Sequence, residues 1–468
     1  MPQRHTPPGF TGALRTFRDT AEYVPAYRDF LRRHNIDPDD IRTARDFAEL
    51  PPVTKDNYIN AYPPHELLPL GRISGAETWS ASSGSSGRPT YWARGTVALK
   101  QSIELHRRIL RAIDADSGSV LVVVGFAMGN WIGGTYTYQA ITGLHGRGVP
   151  VSVITPGADV PAIRDAIRRL GPHYTTVVVA GYPPFLRDVL DTDDLELGGV
   201  DLRLLMAGEN ISEPWRDNVL ELAGKPGRFD ASCLIYGTAD LGMVGHETAS
   251  TIAVRRYTIE HPEILGGAAA MPTLVEVDPA YRYVETDAEG QLLFTAAPGT
   301  PLIRYRIGDQ GAVLSPGQLR ASLRRAGCPD ELRPSVRGAR YVVLHGRSGV
   351  AATFYSVKIP DEALRAALAD PRLTPTLTGK FLLDRVDDER FRSELRLRVQ
   401  LRRGIAPGPG LAELVGQVVV DSLRRVSSEY RELHRTYGAA AEPEVALDHF
   451  AADGYGGPIK HRSRRAAA

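Results

Sequence analysis

The sequence predicts an α/β fold: a large N-terminal domain and a small C-terminal α+β domain. Three observations carry this. Between residues 119 and 237, short apolar runs alternate with helical patterns, as in a buried, mostly parallel β-sheet flanked by helices. From about Thr273 the runs become LVEVD, QLLFTA and GAVLS, which read as a β-rich subdomain of antiparallel strands and turns. Beyond Gly346 the pattern changes again, to a stretch of about 120 residues, within the usual range for a domain.

The first 75 residues read as short helices near Arg15–Arg32 and Arg42–Leu50, interrupted at Pro51-Pro52 and Pro63-Pro64. A loop of small residues, Ser80–Pro89, comes next, and no strand is expected immediately before it. A helix is predicted over Val97–Ile113, with Leu99, Ile103, Leu110 and Ile113 on one side. Strands follow at Ser119–Gly125, Val149–Pro156, Thr175–Gly181, Asp201–Gly208 and Ala231–Gly237. Helices are predicted over Val160–Leu170, around Pro184–Leu190 and over Glu213–Ala223. In the last part we expect a helix over Asp361–Leu368, a strand pair at LTGKFLLDRV and LRLRVQLR, and a helix over Leu411–Tyr430. The domains are expected to be 1–346 and 347–468, with a hinge near Arg347–Gly349. There is no internal repeat.

Composition narrows the function classes. A net charge of +1 asks for neither nucleic acid nor an anionic membrane. No run approaches the ~20 apolar residues of a membrane span, and the N-terminus MPQRHTPPGF lacks a signal-peptide core. Cys233 and Cys328 are the two cysteines, and neither has ligand-spaced partners. A cytoplasmic protein is therefore expected; a homodimer is one possible assembly, and the sequence does not fix the oligomeric state. The chain uses arginine almost exclusively. Its six lysines are Lys55, Lys100, Lys225, Lys358, Lys380 and Lys460. A lysine is a compact point charge where arginine is a fork, so each one kept is worth inspecting.

The loop reads Ser82-Ser83-Gly84-Ser85-Ser86-Gly87-Arg88-Pro89-Thr90. Its hydroxyls and glycines let backbone N–H groups come close to an anion, and Arg88 adds charge at the rim. It lacks the Gly-Lys-[Ser/Thr] of the Walker loop. Further motifs follow in order: Met206-Ala207-Gly208-Glu209, Ile235-Tyr236-Gly237-Thr238-Ala239-Asp240, Arg304-Tyr305-Arg306-Ile307-Gly308-Asp309, Gly346-Arg347-Ser348-Gly349 and Gly457-Pro458-Ile459-Lys460. Gly208 and Tyr236 are predicted at carboxyl ends of strands, where open α/β sheets bind ligands.

Together these motifs resemble those of the adenylate-forming superfamily of acyl-CoA ligases, peptide-synthetase adenylation domains and luciferase. The Pro-Thr after Arg88 is closest to the phenylacetate–CoA ligase branch. The resemblance spans about residues 50–460 and implies an AMP-forming ligase with a mobile small domain. A carboxylic acid would be joined to AMP from ATP, with Mg²⁺, and passed to CoA, an amine or a carrier protein. By the same resemblance Ser82–Arg88 hold phosphates and Gly208-Glu209 lie along adenine. Tyr236 stacks on adenine beside Gly237. The Thr238 hydroxyl reaches phosphate, and Asp240 binds Mg²⁺. Asp309 accepts from the ribose hydroxyls, Arg347 contacts ribose or phosphate, and Lys460 acts in adenylation, with Lys358 as the alternative. Trp131 and Tyr182, each following a central strand, are the candidates to line a pocket for an aryl or other small planar acid.

Some positions depart from the family pattern. Asp240 is one methylene shorter than the usual Glu. Gly349 stands at the pivot, where a glycine can absorb a large backbone rotation. Tyr355-Ser356 replaces the Arg-Gly or Lys-x-x-Gly that lines the CoA tunnel in relatives. These leave two other readings open: activation of a small inorganic acid such as nitrite, and a non-catalytic relative that binds nucleotide or acid.

Overall fold

The structure, a computed structural model, describes residues 7–82, 89–192, 199–266, 272–329, 340–347, 350–450 and 452. Contacts divide the chain into two units, the first built mainly from residues up to Arg347 and the second mainly from those beyond it.

Strands β1 (Thr78–Ser82) and β2 (Thr90–Arg94) pair as a two-stranded sheet. A strand therefore does run directly into the small-residue loop, contrary to expectation. Ser, Ala and Thr dominate β1 and mask its strand character, and its partner lies beyond the loop. The strands of the main sheet in this unit are β3 (Val120–Val124), β4 (Val151–Ile154), β5 (Thr176–Gly181), β6 (Leu202–Ala207), β7 (Ser232–Thr238), β8 (Gly242–His246), β9 (Thr273–Val277), β10 (Tyr283–Thr286), β11 (Gln291–Ala296), β12 (Leu302–Leu314) and β13 (Arg340–Arg347). They form one sheet in the order β10-β11-β12-β13-β9-β8-β7-β6-β5-β3-β4. From β4 to β7 the pairings are parallel, and from β7 onward they are antiparallel. The β-rich subdomain is thus continuous with the parallel sheet. Strand β8 makes the join, because the tight turn after β7 reverses the chain.

The parallel strands are mostly apolar because both faces are covered; all five residues of β3 are apolar and buried. Helices Thr96–Ala112, Val160–Leu170, Pro183–Leu190 and Glu213–Leu222 fall within a few residues of their predicted places. Helix Ile132–His145 was not expected: its Gly, Thr and Tyr content blurs the apolar stripe. The predicted helix Arg15–Arg32 is two helices, Phe10–Tyr23 and Pro25–Arg33. Pro25 cannot continue a helix with its missing N–H, but it suits a first turn.

The N-terminal helices position a key segment. Phe10, Phe17, Phe30, Phe47 and Tyr58 pack with Tyr283, Phe294 and Tyr305 of the antiparallel strands in one buried cluster. Each such ring contributes about 1.5–3 kcal/mol by leaving water. The following segment is tied to β12: Arg306 N–H donates to Val53 O at 2.9 Å, and Arg304 Nη1 donates to Leu50 O. A reciprocal Thr54–Asn57 cap then starts the single turn Lys55–Ile59.

The second unit holds β14 (Val350–Phe354) paired with β15 (Val357–Pro360), and a three-stranded sheet of β16 (Leu377–Asp387), β17 (Ser393–Leu401) and β18 (Glu444–Asp448). Helix Asp361–Leu368 is as predicted. The long predicted helix divides into Leu411–Val426 and Ser428–Tyr437 at Ser427, whose side chain caps the second helix. Leu364, Phe381, Leu397, Val419 and Tyr430 belong to this unit's own core.

Candidate active site

Strand β6 ends at Ala207, just before Gly208, and its parallel neighbour β7 runs to Thr238. Gly208 has φ +98°, a left-handed conformation that glycine takes without strain, and it turns the chain sharply off β6. Glu209 behind it is buried. The antiparallel strands bring further polar groups to the same neighbourhood.

One corner centres on Asp309. It lies on β12 opposite Arg347 of β13, whose Nε is 3.6 Å from its Oδ1. The Tyr236 hydroxyl donates to Oδ2 at 2.6 Å. Asp309 is 4 % exposed. Burial, and then the Asp309 carboxylate, hold the Tyr236 hydroxyl well above its usual range, so it stays a donor. The carboxylate keeps acceptor capacity on Oδ1, since an ionised carboxylate has about four acceptor sites.

The second corner centres on Asp240, in the turn after β7. Tyr305 of β12 donates its hydroxyl to Asp240 Oδ2 at 2.6 Å. Burial, then the charge of Asp240, raise the Tyr305 pKa well above normal. Asp240 Oδ1 lies 4.0 Å from Lys55 Nζ. The same ammonium donates to Ser82 Oγ at 3.3 Å and lies 5.8 Å from the Trp92 ring centre. Trp92 Nε1 also donates to Ser82 Oγ at 3.3 Å. Thr238 Oγ1 accepts the Leu241 N–H at 3.1 Å, which leaves its own proton free to donate. A lysine, two hydroxyls and one carboxylate oxygen therefore gather where the small-residue loop departs.

The acid-pocket candidates are half-buried. Trp131 precedes helix Ile132–His145 and bridges to Ala81 of β1 through the backbone, and Tyr182 follows β5.

No family model matches the chain. Over 304 residues it is 25% identical to a phenylacetate-coenzyme A ligase of Aromatoleum evansii, covering 64% of each chain. Over 322 residues it is 26% identical to a phenylacetate-coenzyme A ligase of Escherichia coli K12, covering 66% of this chain and 67% of that one. The chain thus spans just under two thirds of the Aromatoleum relative. Its architecture is that of 2-hydroxyisobutyryl-CoA ligase in complex with 2-HIB-AMP and CoA in the thioesterification state. There the TM-score is 0.64 at 18% identity, covering 98% of this chain and 91% of that one. An open conformation of the same ligase gives a TM-score of 0.53 at 17% identity. In sequence the chain is thus similar to phenylacetate–CoA ligases, and it shares its fold with 2-hydroxyisobutyryl-CoA ligase.

Of the residues that the resemblance singles out, the described ones gather as Ser82, Thr238 and Asp240 at one corner and Tyr236, Asp309 and Arg347 at the other. Ser83, Gly84, Ser85, Ser86, Gly87, Arg88, Ser348, Gly349 and Lys460 lie outside the described residues. Lys358 is on β15 of the second unit. The turn joining β14 to β15 is Tyr355-Ser356, with φ +47° and +63°, the two-residue geometry that usually takes Asn-Gly. Sequence reasoning missed Lys55, Trp92 and Tyr305 as site residues. For Lys55 the signal was its rarity in an arginine-rich chain. For Tyr305 it was the position four residues before Asp309 on one strand, which puts both on one face.

Proposed function

We propose that this protein activates a small carboxylic acid, aryl or otherwise planar, by joining it to AMP from ATP. Its acyl group then passes to CoA, an amine or a carrier protein. The observation that carries this reading is the pairing of two polar corners: Asp309 with Tyr236 and Arg347, and Asp240 with Lys55, Ser82 and Tyr305.

In the first step an acid oxygen bonds to the α-phosphorus of ATP. The bond from that phosphorus to the bridging oxygen breaks, and its electron pair leaves with pyrophosphate. Such a transfer needs alignment and charge neutralisation more than covalent help. Asp309 Oδ1 would accept from the ribose, with Arg347 beside it. Ser82, Thr238 and Lys55 would hold the phosphate chain. Asp240 fits a hard cation through Oδ1, since Oδ2 is taken by Tyr305. Among the described residues no group of three His, Cys, Asp or Glu could hold a metal, so Mg²⁺ there would share phosphate oxygens and water, its common mode. When bound it would neutralise phosphate charge. In the second step the acceptor's thiol or amine bonds to the acyl carbon, AMP leaves with the electron pair, and the nucleophile loses its proton. The names of the relatives favour CoA among the acceptors.

Acid-dependent exchange of labelled pyrophosphate into ATP, run over aryl and short aliphatic acids, tests this. Exchange well above the acid-free level is expected with at least one planar acid. A flat response to every acid, from protein that is folded and supplied with Mg²⁺, would overturn the reading.

A further inference from the structure

Two buried guanidiniums back the turn that carries Asp240. Arg94, the last residue of β2, is 5 % exposed. It donates through Nη1 to Asp240 O at 3.1 Å and through Nη2 to Ala239 O. Arg282 is 1 % exposed. It donates through Nη2 to Leu241 O at 3.0 Å, and through Nη1 to Gln101 Oε1 and Tyr281 O, both at 2.8 Å. Three consecutive carbonyls, of Ala239, Asp240 and Leu241, are therefore held by two cations.

These arginines differ from Arg216 and Arg255, which are also buried in this unit. Arg216 and Arg255 are matched by Glu213 and Glu247 at 2.8–3.0 Å. Among the described residues, no carboxylate forms an ion pair with Arg94 or Arg282, and the Nε of each has no hydrogen-bond partner. Burial draws the Arg94 pKa down to about 10 and also lowers that of Arg282; the charge of Arg282 acts on Arg94 in the same direction, and the charge of Asp240 opposes it. Two desolvated like charges with no carboxylate in ion-pair contact are costly to a fold. Asp240 offsets part of that cost, and an anion bound at the corner would offset more.

The turn tells where. In a trans peptide the carbonyl and the next N–H point in opposite directions. With the carbonyls of Ala239 and Asp240 drawn toward Arg94, the N–H groups of Asp240 and Leu241 point the other way. Leu241 N–H meets the Thr238 hydroxyl there, at 3.1 Å. The arginines thus fix the turn from behind while its hydroxyl and carboxylate face the phosphate corner.

We propose that Arg94 and Arg282 are positioning residues for the nucleotide: they lock the Thr238–Leu241 turn by its carbonyls, aim Asp240, and supply a buried positive field whose countercharge is the bound triphosphate. This rests on the reading of the corner as an ATP site. The two residues act through the turn and need not touch the nucleotide.

The test is calorimetric binding of ATP with Mg²⁺ in the absence of acid, together with melting of the ligand-free protein. Arg94→Gln and Arg282→Gln should each weaken ATP binding at least about tenfold. They remove unpaired buried charge as well as hydrogen bonds, so the ligand-free Tm should move by only a few degrees. KM for ATP should rise while KM for the acid stays near its original value. Combining either variant with Asp240→Asn should give little loss beyond that of Asp240→Asn alone, because both act through one turn. If a Gln variant fails to fold, Arg282→Lys keeps the charge without the fork, and it should lose ATP affinity severalfold. Native ATP affinity in the folded variants, or losses that add fully to that of Asp240→Asn, would overturn the inference and leave the ATP site intact. Absence of ATP binding by the unaltered protein would instead sink the reading of the site on which the inference stands.

Discussion

At the scale of single residues, the two corners make separable demands. Asp309 already accepts one hydroxyl proton, from Tyr236 at 2.6 Å, and under the proposed function its other oxygen takes the ribose. A hydrogen bond to a charged group contributes about 1.5–3 kcal/mol. Asp309→Asn should therefore weaken ATP binding by roughly tenfold to a hundredfold. Far-UV circular dichroism should stay native. Binding as tight as in the unaltered protein would remove Asp309 from the nucleotide site. Lys55 offers a different signature. Its ammonium, 4.0 Å from Asp240 and 3.3 Å from Ser82 Oγ, is a point charge suited to phosphates. Lys55→Met should weaken binding of inorganic pyrophosphate by about tenfold or more and make it less sensitive to salt, because a screened charge is lost. An unchanged salt dependence would assign Lys55 to packing against Trp92.

At the scale of elements, what the sequence made legible follows from pattern strength. Apolar runs such as Val120–Val124 and Thr176–Gly181 could be placed to within a residue or two, because burial on both faces leaves no other reading. The hairpin β1–β2 and strand β8 were not legible: Thr78–Ser82 and Gly242–His246 are short and rich in small residues, so neither shows the apolar run or alternation that marks a strand. Tyr236, Asp240 and Asp309 stood out within motifs. Lys55 and Tyr305 did not, because what places them is the tie between Leu50–Val53 and β12, a contact across some 250 residues. Helix Thr96–Ala112 carries a testable consequence of its burial. His106, 2 % exposed, bonds Ser102 O through Nδ1 at 2.8 Å, while its Nε2 has no hydrogen-bond partner among the described residues. Burial lowers its pKa from 6.5 to about 4, so the folded state resists the proton that the unfolded chain accepts. Above pH 6.5 both states are neutral there and stability is unaffected. As pH falls toward 4 the unfolded state binds the proton first, and stability drops by up to about 3 kcal/mol. His246, lowered by burial as well, acts in the same direction. His106→Gln should flatten urea-measured stability across that window. An unaltered slope would mean that other groups set the acid sensitivity.

At the scale of the whole molecule, the mixed sheet explains why one site draws on such distant sequence. Its parallel half delivers Gly208 and Thr238 at strand ends, and its antiparallel half delivers Tyr305, Asp309 and Arg347 along β12 and β13. Everything so far assigned to nucleotide binding comes from residues up to Arg347. The remaining chemical demand is a charge on the transferring phosphoryl and acyl oxygens, and the resemblance places it at Lys460. We propose that Lys460 serves adenylation only. If it stabilises charge that appears as the acid attacks phosphorus, its loss resembles removal of one fixed electrostatic donor, worth on the order of 10²–10³ in rate. Acyl transfer from the adenylate develops its charge at the acyl carbonyl and on departing AMP, with no pyrophosphate to expel, and makes no such demand on Lys460. Lys460→Ala should therefore slow acyl-AMP formation by that factor. Transfer from chemically supplied acyl-AMP to the acceptor should run at close to its original rate. Lys358→Ala, made alongside, should spare adenylation. Single-turnover measurements of each half-reaction decide the matter. Equal losses in both steps for Lys460→Ala would assign the tail to folding or general binding. Selective loss of adenylation in Lys358→Ala would move the catalytic charge to β15.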